Sequence, residues 1–172
     1  IRNQQRKNIN FFTERSLDKT ANSRLSEKER MSAYEDVVDP NFGVIAAGSG
    51  EGSLTPEQVI TRYDEFNDDV VRAILQKYMD SNDPMSVALA LSDEDDGTIK
   101  PTLPDAVLER AFSELSPEQQ KSVRDDMFTI AEAKQNRADD IKQSEINRQE
   151  AEWKSDFAFI INQAKDNPDE AQ

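Results

Sequence analysis

The sequence predicts an all-α protein: an irregular helical bundle with a long C-terminal helix or helical hairpin and an extended N-terminal arm. Three observations carry this expectation. Two start signals of the same grammar, Thr55-Pro56-Glu57-Gln58 and Ser116-Pro117-Glu118-Gln119, offer a capping hydroxyl, a proline at the first helical position and a glutamine that completes a capping box. Val59, Tyr63, Phe66, Val70, Ile74 and Tyr78 recur at intervals of three and four, the spacing of one helical face. From Glu118 to Asn167 the chain runs 50 residues without glycine or proline, roughly 75 Å if it forms one helix at 1.5 Å per residue.

Residues 1–53 read as a basic N-terminal arm and a Gly-rich linker. The first 30 residues carry eight basic and four acidic side chains, a balance of +4 that leaves −18 on the other 142. Four of the five glycines fall between Asp39 and Ser53, which marks a linker or long mobile loop. A phosphate-binding reading of those glycines fails on chemistry. The P-loop needs lysine after its glycine, whereas Glu51 follows Gly50 and sets a negative charge where phosphate has to sit.

Residues 54–100 read as a helical subdomain with an acidic loop. The helix from Pro56 has Asp64, Glu65, Asp68, Asp69, Arg72 and Lys77 opposite its apolar face, and Asp83-Pro84 caps a short apolar segment, Met85–Leu91, read as a buried helix or a strand. Residues 101–172 form a second helical subdomain. Beyond a hinge at Pro101–Pro104, a helix through Val107, Leu108, Ala111, Phe112 and Leu115 leads to the long polar helix. In its middle, Ala133, Ala138, Ile141, Ile146 and Ala151 hold neither a heptad nor a stripe, so a coiled coil is disfavoured. That middle reads as a solvated helix between two packed ends, or as two helices with a break.

Composition excludes more than it suggests. The 172 residues include 21 basic and 35 acidic side chains, a net charge of −14, with no cysteine and no histidine. Disulfides, thiolate sites, histidine-bound zinc and imidazole-activated nucleophiles are therefore ruled out. Hydrophobic residues make up 35% and charged ones 33%, against ~45–50% and ~25% in average globular chains, so the core is expected to be thin. The longest apolar runs, Val87–Leu91 and Phe157–Ile161, are far shorter than the ~20 residues of a membrane span. A chain that begins at Ile1 is expected to be a processed product or a piece of a longer polypeptide.

The acidic run Ser92–Lys100 has the glycine and isoleucine of a calcium loop. With Gly97 at loop position 6, Ser92 is a weak first ligand and Leu103 stands where a bidentate glutamate belongs. Asp93, Asp95 and Asp96 are left as candidates for adventitious binding of divalent cations, and neither a specific metal nor a cofactor is expected. Paired carboxylates could cleave glycans, but with 35 carboxylates every pairing arises by chance, and no enzyme is expected.

Two surfaces remain as candidate partner sites. The first comprises Arg2, Arg6, Lys7, Phe11, Phe12 and Arg15, the one place where base stacking and phosphate contact could combine, or where a Phe pair could anchor the arm in a hydrophobic groove. The second is the terminal face Trp153, Phe157, Ile160 and Ile161. Phe159 points away from it, so the helix is either buried within this chain or keeps one side for a partner.

The Ala/Gln/Asn/Lys/Asp texture of Glu132–Glu152, together with cysteine-free acidic helices, resembles internal virion, scaffolding and ejection proteins of tailed bacteriophages, over residues 105–167 and without a diagnostic motif. The resemblance implies a non-enzymatic protein of the virion or host cytoplasm, assembling with itself or with portal, coat or tail components. An alternative is an acidic regulatory protein that imitates DNA and binds a basic or DNA-binding target. A third is a carboxylate-based glycan-cleaving enzyme.

Overall fold

The computed structural model describes the backbone of residues 2–50, 52–91, 99 and 101–166, and the side chains of that set from 4 to 162. The described residues form helices α1 (Arg2–Thr20), α2 (Glu27–Val38), α3 (Val44–Gly50), α4 (Pro56–Ser81), α5 (Pro84–Leu89), α6 (Ala106–Ser113) and α7 (Pro117–Asp166). The protein is all-α. It divides into two units, Ile1–Glu132 and Ala133–Gln172.

The capping signals act as the sequence predicts. The Thr55 N–H donates to Gln58 Oε1 at 3.0 Å while the Gln58 N–H donates to Thr55 Oγ1 at 3.3 Å. Ser116 and Gln119 repeat the exchange at 2.9 and 3.3 Å. Asp83 Oδ2 accepts the Ser86 N–H at 2.8 Å, so the short apolar segment is a helix. Each cap satisfies backbone donors that a helix start otherwise leaves open.

In the first unit α4 is the central element. Phe66, Val70, Val71, Ile74, Leu75 and Met79 are buried on it, and α1, α3, α5 and α6 pack around it. Val107, Leu108, Ala111 and Phe112 of α6 join this core, as do Val123, Met127 and Ala131, spaced by four on the first turns of α7. Arg72 joins α4 to α7 through Asp126 at 2.7 Å while also holding Asp68 at 2.7 Å.

Residues 1–53 are neither an extended arm nor a linker: they carry α1, α2 and α3. Ile9 and Ala21 of the α1 segment are buried with Leu17 packed against the core, one narrow edge on a helix whose Phe11 and Phe12 rings are exposed. Ser26 and Glu29 form a capping box for α2, with bonds of 2.9 and 3.3 Å. Gly43 and Gly48 serve close approach. A Cβ on Gly48 would lie 2.6 Å from Ile9 Cδ1, and one on Gly43 would lie 2.5 Å from the Val37 carbonyl oxygen. Among the described glycines, Gly52 alone, with φ of +67°, supplies a left-handed backbone.

In the second unit α7 continues without a break, and every described side chain from 135 to 162 is exposed. Its internal links are pairs four residues apart, such as Gln143 with Asn147 at 3.0 Å and Arg148 with Glu152 at 3.8 Å. Such pairs contribute a few tenths of a kcal/mol each, about 0.2–0.5, so helix-favouring composition holds this stretch.

Candidate interaction surfaces

The first predicted surface lies on α1, which is helical. Arg2 falls in α1, outside the described side chains. Arg6 is used structurally: its Nε donates to the Ser53 carbonyl at 3.1 Å, joining α1 to the chain that leads into α4. Lys7 and Arg15 are exposed. Phe11 and Phe12 are also exposed, edge to face at 5.7 Å, and neither is an anchor in the core.

Phe12 and Arg15 line a groove of about 550 Å³ that the sequence did not reveal. One wall is basic, from Arg15 and Lys19 of α1; the other is acidic, from Glu35 and Asp36 of α2 and Asp39 beyond it. Ser16, Phe42 and Val44 complete the lining. Asp39 Oδ1 accepts the N–H groups of Asn41 at 2.7 Å and Phe42 at 2.9 Å, which holds the turn bearing the Phe42 ring, 89% exposed. A groove whose charged walls of opposite sign flank three apolar side chains suits an amphipathic segment carrying both signs.

The second surface is exposed rather than buried. Trp153 is 65% exposed and Phe157 51%, and their rings stack at 5.4 Å with 13° between planes. Phe159, Ile160 and Ile161 are exposed as well. The four-residue step from Trp153 to Phe157 places both on one side of the helix, and Phe159 faces elsewhere.

Asp93, Asp95 and Asp96 lie outside the described residues. Among the described residues no group of three or more Asp and Glu side chains could hold a metal ion. Also among them, no helix is long and apolar enough to cross a membrane.

Sequence reasoning missed two buried polar sites. Asp105 caps α6, its Oδ1 accepting from the N–H groups of Val107 at 3.1 Å and Leu108 at 3.0 Å. Its Oδ2 meets Arg30 Nη2 at 2.7 Å, and Arg30 Nε donates to the Thr20 carbonyl at 2.7 Å. Tyr78 borders the same cavity of about 250 Å³, and its phenol is pushed up by burial and then by the Asp105 charge. The only sign of it in the sequence is an aspartate after Pro104 at a helix start. A second buried bond runs from the Tyr34 hydroxyl to Asn67 Oδ1 at 2.7 Å, with Tyr34 stacked on Phe66 at 6.0 Å. Both sites join elements of the first unit and act as structural ties.

Fold and surfaces together describe an all-α protein whose few buried polar groups act as structural ties and whose charged surface also carries exposed apolar side chains. Comparison with protein-family models, with curated proteins and with solved structures finds no match to this chain.

Proposed function

We propose that the chain is a non-enzymatic structural or assembly protein that acts through protein–protein contacts, first of all with copies of itself. One observation carries the reading: Trp153, Phe157, Phe159, Ile160 and Ile161 stand exposed within two and a half turns of α7. Each Å² of such surface withdrawn from water contributes about 25 cal/mol, so a partner that covers it gains affinity at low geometric cost. The texture of α7, which resembles internal virion and scaffolding proteins of tailed phages, supports a virion component as the specific form of this reading.

Light scattering with small-angle X-ray scattering across concentration and salt tests it. The expected result is a concentration-dependent oligomer that W153A/F157A dissolves without loss of helicity. A monomer under every condition overturns the reading.

The acidic-regulator reading has its own observation. Asp64, Glu65, Asp68 and Asp69 crowd within two turns of α4, and the Asp69 carboxyl is raised by burial and then by the Asp68 and Glu65 charges. Tight, salt-sensitive one-to-one binding to a basic protein favours this alternative.

A further inference from the structure

Resting on the self-assembly reading above, we infer that the apolar end of α7 of one copy docks in the two-signed groove between α1 and α2 of the next, so that copies add head to tail. The groove is lined by Phe12, Phe42 and Val44 between a basic and an acidic wall. The end of α7 has the matching order. At 100° per residue, Trp153, Phe157 and Ile160 form a stripe with Lys154 on one flank and Asp156 and Glu152 on the other. Seated in the groove, that helix turns Lys154 toward Glu35 and Asp36, and its acidic flank toward Arg15 and Lys19. Lys154 reaches Glu150 only at 3.9 Å within its own helix and is exposed, so a wall carboxylate can compete for it.

Pairing of two α7 ends with each other lacks this match. An antiparallel pair sets each flank against the same flank of its copy, Lys154 side to Lys154 side and Asp156 side to Asp156 side. A parallel in-register pair sets Glu150, which lies on the stripe's line between Ile146 and Trp153, against its own copy. Both symmetric arrangements bring like charges together, whereas the groove sets Lys154 and the Asp156 flank against opposite charges and leaves Glu150 to its own pair with Lys154.

Docking of the α7 end in a groove is a heterologous contact, and it makes a prediction that neither end-to-end pairing shares. The groove variant F12A/F42A retains a working α7 end, and the end variant W153A/F157A retains a working groove. All four positions are exposed, so both full-length variants are expected to keep wild-type helicity by circular dichroism. In sedimentation velocity each variant alone is expected to be monomeric at concentrations where the wild type assembles, and an equimolar mixture is expected to form a species of two chains and no larger. As a second measurement, K154E is expected to weaken wild-type assembly at least tenfold, and E35K/D36K in the same chain to restore it. A groove variant that still self-associates, or a mixture that stays monomeric while the wild type assembles, overturns the docking and leaves the self-assembly reading standing. A wild type that is monomeric throughout overturns both.

Discussion

Arg30 and Asp105 meet at 2.7 Å with side-chain exposures of 12% and 1%, and through them the start of α6 is tied to α2 and to the end of α1. A charge pair this deep is sustained because each partner is also hydrogen-bonded to backbone. Removing one partner leaves the other charge buried without compensation, which typically costs about 3–5 kcal/mol. Arg30→Ala is therefore expected to lower the stability of the first unit by that order in urea denaturation, with Arg30→Lys recovering only part because lysine cannot serve both Thr20 and Asp105 in a fixed fork.

Thr20 supplies a change in the opposite direction. Its hydroxyl is fully buried and, among the described residues, has no hydrogen-bond partner. Thr20→Val retains the β-branched shape and removes the desolvated oxygen, so a gain of about 1 kcal/mol is expected in the same assay. A loss would show that the hydroxyl is satisfied in solution.

Gly48 and Ile9 form a coupled pair. Gly48→Ala places a Cβ 2.6 Å from Ile9 Cδ1 and 3.0 Å from Leu54 Cδ1, and overpacking of this kind costs about 1–3 kcal/mol. In a double-mutant cycle Ile9→Val, which deletes the Cδ1 atom, is expected to relieve much of that cost. Strict additivity of the two changes would overturn the contact.

Alkaline pH is expected to unfold the first unit. All three tyrosines have raised phenol pKa values, Tyr34 to about 12 through burial and then the nearby Glu114 charge. A raised folded-state pKa means the neutral phenol is favoured by folding. That stability is complete below the ordinary tyrosine value of about 10 and is lost as pH rises through about 12. Tyrosinate absorbance is expected to rise together with loss of helicity; titration of all three phenols near 10 in the folded protein would contradict it.

At the acid end the capping carboxylates act with opposite sign. Hydrogen bonds from Ser26 hold Glu29 below its ordinary range, and those from Ser86 do the same for Asp83. Their contribution is present above the unfolded carboxylate range and fades as pH falls through the lowered values. Glu29→Gln is expected to flatten the acid limb of a stability profile while keeping the capping hydrogen bond to the Ser26 N–H.

The sequence by itself determined those features that depend on neighbours along the chain. Helix starts at Thr55, Asp83 and Ser116 were legible because a cap is made within four residues. The buried face of α4 was legible because six apolar residues repeat with helical period. The same local logic could have found α2, whose Ser26 and Glu29 carry the same grammar as Thr55 and Gln58, only in a segment dominated by charge.

Tertiary structure alone decided the rest. α1 and the residue after it bury too narrow an edge, Ile9 and Ala21 with Leu17 beside them, for periodicity to register against the exposed faces, and only its partners make that edge sufficient. Glycine composition signals mobility in sequence, yet Gly43 and Gly48 are required by atoms of distant or turned-back residues that composition cannot reveal. The Arg30–Asp105 pair and the two-signed groove join residues separated in the chain by up to 75 positions, and no local pattern encodes a contact made by folding. Whether Trp153 and Phe157 were core or surface was likewise open in the sequence, because an apolar stripe has the same spacing whether it is covered or exposed.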